Sequence, residues 1–219
     1  MSQEANPVVK QARAEATREA IIRGAAEVFD RFGYEATSLS DVMATAGVTK
    51  GALYFHFSSK EDLANAIIER QHLQSVGPAW GADDSGGLEA VIGLSHHLAA
   101  QLRADPVVRA GIRLTLETGT FTCTRPGPYQ DWIDAVALLL KHAADAGELL
   151  ASMEPERMAR YFVGAFTGVQ VLSEVLTGRA DVHKRVQEMW ELQLPALVPA
   201  CRLPYYLRVA RGPAEAAPE

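Results

Sequence analysis

No part of this chain constrains its fold as tightly as Ser38 to Asp62, SLSDVMATAGVTKGALYFHFSSKED. Ser38 and Asp41 have the S-x-x-D spacing of a capping box, in which each side chain answers the other residue's backbone N–H. That spacing predicts a helix beginning next to Ser38. Ala46-Gly47-Val48 ends it, because glycine enters the left-handed conformation of a helix C-terminus without a steric penalty. Thr49 can cap a second helix at once, and Ser59 with Asp62 forms another box for a third. Two helices joined by so short a turn make a helix-turn-helix, whose second helix lies in the DNA major groove.

Such a reading helix must bury one face and free another. Val42, Val48, Leu53 and Phe57 fit a small core, with Leu53 and Phe57 one turn apart. Lys50 and Tyr54 are also one turn apart, on a different face. Gly51 and Ala52 beside them are small enough to let the helix N-terminus approach a phosphate, which its free N–H groups favour. Lys60 falls in the first turn of the following helix. A cation there opposes the helix dipole, which points to a partner outside, such as a phosphate. The alternative is that Lys50, Tyr54 and Lys60 are an ordinary solvated surface.

Residues 12 to 75 resemble the N-terminal DNA-binding domain of TetR-type transcriptional repressors. The resemblance is carried by EATREAIIRGAAEVFDRFGYEATSLSDV and AGVTKGALYFHFSSKEDL, with Gly33-Tyr34, Thr37, Ala46-Gly47-Val48, Leu53 to Phe57 and Lys60 to Leu63. It implies a DNA-facing set of Thr37, Ser38, Thr49, Lys50, Gly51, Tyr54, His56 and Lys60. Within that family the chain is similar to the γ-butyrolactone autoregulator receptors of actinobacteria. VTKGALYFHFSSKEDLA, Pro106 to Leu114, Pro128-Tyr129-Gln130-Asp131-Trp132 and Val163 to Gln170 carry this part.

The charge balance argues mildly against DNA. The chain has 21 basic and 27 acidic residues, a net −6, and the first 75 residues hold eight basic against ten acidic. The cations are unevenly placed, however. Lys10, Arg13 and Arg18 precede or open the first helix, and Lys50 and Lys60 flank the reading helix. Placement outweighs the sum within a Debye length of about 8 Å. Binding then rests on a few local cations and on pairing two reading heads, hence a dimer on a palindromic site of double-stranded operator DNA.

At 219 residues the chain can hold a small domain and a larger body. Segments bounded by Gly, Pro and caps predict an all-α fold of about nine helices, with no hairpin signal. We divide it into an N-terminal arm (1–11), a helix-turn-helix domain (12–58), a connecting helix (59–75), a ligand-binding and dimerisation body (76–204) and a tail (205–219). The tail is expected to be partly ordered through Tyr205 and Tyr206, then disordered beyond Gly212. The clearest break is Gly77 to Gly81 with Asp83 to Gly87. Helices are expected over 88–103, after the Asp105-Pro106 cap, over 128–147, 155–177 and 182–194, with a loop from Thr118 to Gly127. No apolar run is long enough to span a bilayer, and no leader follows Met1. Cys123 and Cys201 give neither a disulfide framework nor metal-ligand spacing, so a reduced cytoplasmic home is the default.

The last two long helices carry an apolar band. Met158, Tyr161, Phe162, Ala165, Phe166, Val169, Leu172, Val175 and Leu176 begin it, and Val186, Met189, Trp190, Leu194, Leu197 and Val198 continue it. Packed on the same pair in a second subunit, they would form a four-helix interface. The alternative is that the band is simply monomer core. The resemblance implies a homodimer through these helices.

Six body aromatics, Phe121, Tyr129, Trp132, Tyr161, Phe162 and Phe166, exceed what dimerisation requires, and ligand sites in helical bodies are mostly apolar with a few orienting groups. Trp132 offers a flat wall and one N–H. Thr167 could donate to a carbonyl, Gln170 lies three residues on, and Gln71 on the connecting helix could couple a ligand to the reading head. The resemblance implies Trp132 as the pocket tryptophan, Thr167 as a pocket polar residue and Gln71 as a further contact; Val163 and Phe166 complete the expected set. Trp132 as filled core, and Gln170 facing solvent or a partner, remain open alternatives. The implied effector is a small γ-butyrolactone, butenolide or furan, and the implied targets are antibiotic or secondary-metabolite genes. Rival readings are a TetR-type repressor of an efflux pump answering drugs or lipids, and a receptor-like regulator answering an antibiotic.

An enzyme is disfavoured. Adjacent helical residues such as His96 and His97 point about 100° apart and share a metal poorly. No H-E-x-x-H, C-x-x-C, G-x-S-x-G or phosphate-loop motif is present. No catalytic residue, cofactor, metal or membrane partner is expected.

Overall fold

The computed structural model describes residues 7–75, 86–117 and 127–212, and every regular element among them is a helix. In chain order these are α1 (Pro7–Ala36), α2 (Leu39–Ala46), α3 (Lys50–His56), α4 (Lys60–Ser75), α5 (Leu88–Ala104), α6 (Pro106–Leu116), α7 (Pro128–Asp145), α8 (Pro155–Thr177), α9 (Val182–Leu197) and α10 (Leu203–Val209). The chain divides into two compact units, Met1–Gln74 with Asp105–Pro126, and Ser75–Ala104 with Gly127–Glu219.

The first unit is built on α1. Ile21, Ile22, Ala25 and Phe29 recur at helical spacing and are buried with Val42, Leu53, Phe57, Leu63 and Ile67 of α2 to α4. Val107, Ala110 and Leu114 of α6 join the same core. α6, which the sequence division gives to the C-terminal body, packs in this first unit. The physical reason lies at the end of α1. Gly33 adopts φ 78° and ψ 178°, a region only glycine enters without strain, and the helical ladder breaks there. α6 answers the break. Arg109 Nε pairs with Asp30 Oδ2 at 2.6 Å, and Arg113 Nη1 donates to the Asp30 carbonyl at 2.6 Å. Tyr34 N–H donates to Glu117 Oε2 at 2.8 Å, and Arg113 Nε holds the other Glu117 oxygen.

In the second unit α5 packs on α9 and α7, α7 on α8, and α8 on α9. Glu148 Oε2 accepts from Leu88 N at the start of α5. The tenth helix exceeds the nine expected, because Tyr206 is buried and Ala210 O bonds the buried His96 Nε2 at 2.9 Å. α1 also reaches into the expected arm, starting at Pro7. α8 matches its expected bounds, while α9 runs past Pro195 to Leu197. Proline removes a donor and crowds the preceding turn, yet α9 accommodates it within its last turn.

The apolar band of α8 and α9 splits in two. Met158, Phe162, Phe166, Val186, Met189, Trp190, Leu194, Leu197 and Val198 are buried within the chain. Tyr161, Leu172, Val175 and Leu176 of α8 are 54–74% exposed. Much of the band is therefore monomer core, while these four residues stay exposed and Ala165 and Val169 are half-buried. The breaks at 77–81 and 83–85, the loop at 118–126 with Phe121 and Cys123, and the tail beyond Gly212 lie outside the described residues.

Candidate DNA-reading face and effector cavity

The capping predicted for α2 is present in full. Asp41 N–H donates to Ser38 Oγ at 3.2 Å, while Ser38 N–H and Oγ donate to Asp41 Oδ2 at 3.2 and 2.6 Å. These bonds from Ser38 favour the carboxylate and hold the Asp41 pKa below its ordinary value. Gly47 is left-handed, φ 65°, and its N–H returns to Met43 O. Thr49 Oγ1 then accepts from Ala52 N at 3.2 Å, so α3 starts two residues after the turn. Leu53 and Phe57 face inward, at 0% and 2% exposure. Lys50, Gly51 and Tyr54 face solvent, with Lys50 Nζ 5.9 Å from the Tyr54 ring centroid.

Five members of the expected DNA set have partners within the protein. Thr37 is 3% exposed and its Oγ1 donates to Gly33 O at 2.7 Å, so it caps the broken end of α1 rather than facing outward. Lys60 Nζ donates to Tyr34 O at 2.7 Å and Thr37 O at 2.9 Å, and lies 4.3 Å from the Tyr34 ring centroid. Its cation thus bonds carbonyls at and just beyond the end of α1, an internal role beside the expected phosphate contact. The unfavourable dipole of α4 is outweighed by the favourable C-terminal end of α1. His56 is half-buried, with its ring edge-on to Phe55 at 5.0 Å. Ser38 and Thr49 are exposed, but their oxygens serve the caps.

The second unit contains a narrow cavity of about 40 Å³, partly open to solvent, between α5, α7, α8 and α9. Val91, Leu94, Leu98, Val136, Phe162, Val163, Phe166 and Met189 make its apolar wall. Trp132, Trp190 and Ser95 supply the polar atoms, and no lining residue carries a charge. Trp190 Nε1 donates to Ser95 Oγ at 2.8 Å, and Ser95 Oγ donates on to Ile92 O at 2.7 Å. The Trp132 indole N–H differs: it is buried and has no hydrogen-bond partner. A buried donor left unmade costs about 1–3 kcal/mol. The cavity therefore favours a neutral, largely apolar guest carrying one acceptor, since an unpaired charge there would lose its hydration without compensation.

The expected ligand set is divided by this geometry. Trp132, Val163 and Phe166 line the cavity. Thr167 does not; it lies about 100° round α8 from Phe166, and its one proton goes to Val163 O at 2.7 Å. Tyr129, whose phenol burial pushes up, also bonds Thr167. Gln170 is buried one turn beyond Phe166 and is not a lining residue. Gln71 belongs to the first unit, buried against Gly111, and does not line the cavity. Ser95 carries no signal in the sequence, and Trp190 reads there as part of the apolar band, not as a cavity residue.

Two family models match this chain. Residues 21–67 match the family described as "Bacterial regulatory proteins, tetR family", and residues 85–199 match "Tetracyclin repressor-like, C-terminal domain". The chain belongs to the TetR family. Its relatives include the A-factor receptor protein of Streptomyces griseus, 40% identical over 190 residues, covering 87% of this chain and 67% of that protein. A solved gamma-butyrolactone receptor (ArpA-like protein) superposes with a TM-score of 0.79 at 36% identity, over 90% of this chain and 96% of the other. The TetR-family protein CprB of Streptomyces coelicolor, solved with its biological operator sequence, gives the same TM-score, identity and coverages. TetR-family proteins are DNA-binding transcriptional regulators rather than enzymes, and no described helix here is long and apolar enough to cross a membrane.

Proposed function

We propose that this protein is a homodimeric repressor that holds a palindromic operator until a γ-butyrolactone-type signalling molecule enters the cavity of the second unit and releases it. The observation that carries this reading is the unpartnered Trp132 N–H in an uncharged apolar cavity. A lactone or furan offers the matching chemistry, a neutral ring with an acceptor and an alkyl chain for the apolar wall. Similarity to the A-factor receptor and to gamma-butyrolactone receptors supports the same ligand class. Antibiotic or secondary-metabolite genes are the proposed targets, and the cytoplasm the proposed location. Lys50, Gly51 and Tyr54 are the proposed DNA contacts, within a reading domain over 12–58 linked by a connecting helix over 59–75.

Release is a population shift. Two reading helices must lie about one helical repeat, ~34 Å, or a multiple of it apart to enter successive grooves. A ligand bound better by a state with another spacing draws the dimer toward that state. A coupling of about 1–3 kcal/mol weakens DNA binding several-fold to hundredfold. The test is a gel shift on the protein's own promoter region, with butyrolactones, butenolides and furans of graded chain length. Release by one of these classes at low concentration is expected. Retention of DNA against all of them, with release by a drug or antibiotic, would transfer the assignment to the rival effectors.

A further inference from the structure

Phe55 is 78% exposed, in the last turn of the helix proposed to enter DNA. Its side chain lies in none of the clusters that fix α3. Leu53 and Phe57 anchor the helix inward, and the cap of Thr49 fixes its start. Around the helix axis, Gly51 and Phe55 stand about 160° and 200° from Leu53, whereas Lys50 and Tyr54 stand about 60° and 100° away. The centre of the outward face is thus Gly51 with Phe55, and Lys50 with Tyr54 forms its flank. A Cβ built on Gly51 meets nothing within 4 Å, so Gly51 leaves a shallow step beside the Phe55 ring. His56 turns edge-on to Phe55 at 5.0 Å and limits where the ring can swing.

We propose that Phe55 is a specificity-determining residue that reads a thymine by covering its C5-methyl group in the major groove. The outward face is continuous with the reading surface of a DNA-binding family, which identifies the occupant as a base edge rather than a protein partner. Phenylalanine has no hydrogen-bonding group and so cannot read the donor and acceptor pattern of the groove. The one apolar feature on that edge is the thymine methyl, and apolar side chains read it by contact. The Gly51 step lets the backbone come close enough for the ring to reach the base. Lys50 on the flank is left to phosphate or to a guanine.

The test uses the full-length protein and duplexes selected by it from a pool of random 30-base-pair DNA. The selected sites are expected to share a fixed thymine in each half. Replacing that thymine by uracil, which removes only the methyl, is expected to weaken wild-type binding about four-fold per half-site, the equivalent of one buried methyl group. Phe55→Ala is expected to bind the thymine and uracil duplexes equally, with an unchanged thermal midpoint because the ring is exposed. The proposal is overturned if no thymine is fixed, or if uracil weakens wild type and variant alike. Equal weakening of every duplex by Phe55→Ala would likewise overturn it, making Phe55 a sequence-independent contact.

Discussion

Lys60 is a cation whose work is internal. Its ammonium meets the carbonyls of Tyr34 and Thr37, just past the break at Gly33. Hydrogen bonds involving a charged group contribute about 1–3 kcal/mol. Lys60→Met should therefore lower the stability of the protein by about that amount in urea unfolding, while the slope of log affinity against log salt on non-specific DNA stays unchanged. A slope reduced by about one per subunit would instead restore Lys60 to the DNA-facing set. The sequence showed the capping boxes because they are local, spanning three residues. It could not show Lys60 or Thr37 at the end of α1, because their partners are carbonyls freed by a backbone break some 25 residues earlier for Lys60.

Between elements, Asp181 ties the end of α8 to the start of α9. Its carboxylate accepts from Ser173 Oγ at 2.6 Å, Thr177 Oγ1 at 2.8 Å and Arg185 Nε at 2.8 Å. The bonds from Arg185 and Ser173 hold its pKa far below the ordinary 3.8. A lowered folded-state pKa means that the stabilisation is complete above the unfolded value and fades as pH falls toward the folded one. Asp181→Asn should lower the thermal midpoint at pH 7, and its gap to wild type should narrow steadily below about pH 4. A gap constant from pH 7 to pH 2.5 would show that Asp181 acts through shape alone. Element existence was legible here: the bounds of α8 follow from Pro155 and Gly178. The packing of α6 on α1 was not, because Arg109, Arg113 and Glu117 look like solvated charge until Asp30 and Tyr34 are seen beside them. α10 was hidden for a similar reason, its anchor being a carbonyl bond to His96 far away in sequence.

For the whole molecule, the exposed remainder of α8 is the surface proposed for assembly. Val175 is 74% exposed and Leu176 63% exposed, with Leu172 and Tyr161 along the same helix. Contiguous apolar surface of this kind marks an interface, and the proposed one pairs these helices with a second copy. Val175→Asp should halve the mass in sedimentation at micromolar concentration, with helical content kept and operator affinity lost. A dimer that persists in the variant would move the interface elsewhere. The sequence left interface and monomer core open for this band, because periodicity reports that a face is apolar, not which neighbour covers it. The cavity was legible in the same limited way. Trp132, Val163 and Phe166 were found as aromatic and apolar positions, but the lack of a partner for Trp132 is a property of packing alone.

The central claim is that this one N–H holds the effector. Its most direct test is Trp132→Phe, which keeps an aromatic wall and removes the donor, measured as the γ-butyrolactone concentration that releases half of the bound promoter DNA. DNA affinity without ligand should stay within about two-fold, and the releasing concentration should rise about 5- to 150-fold, the loss of a hydrogen bond worth about 1–3 kcal/mol. Release at an unchanged concentration would contradict the account and leave Trp132 as a filled core position.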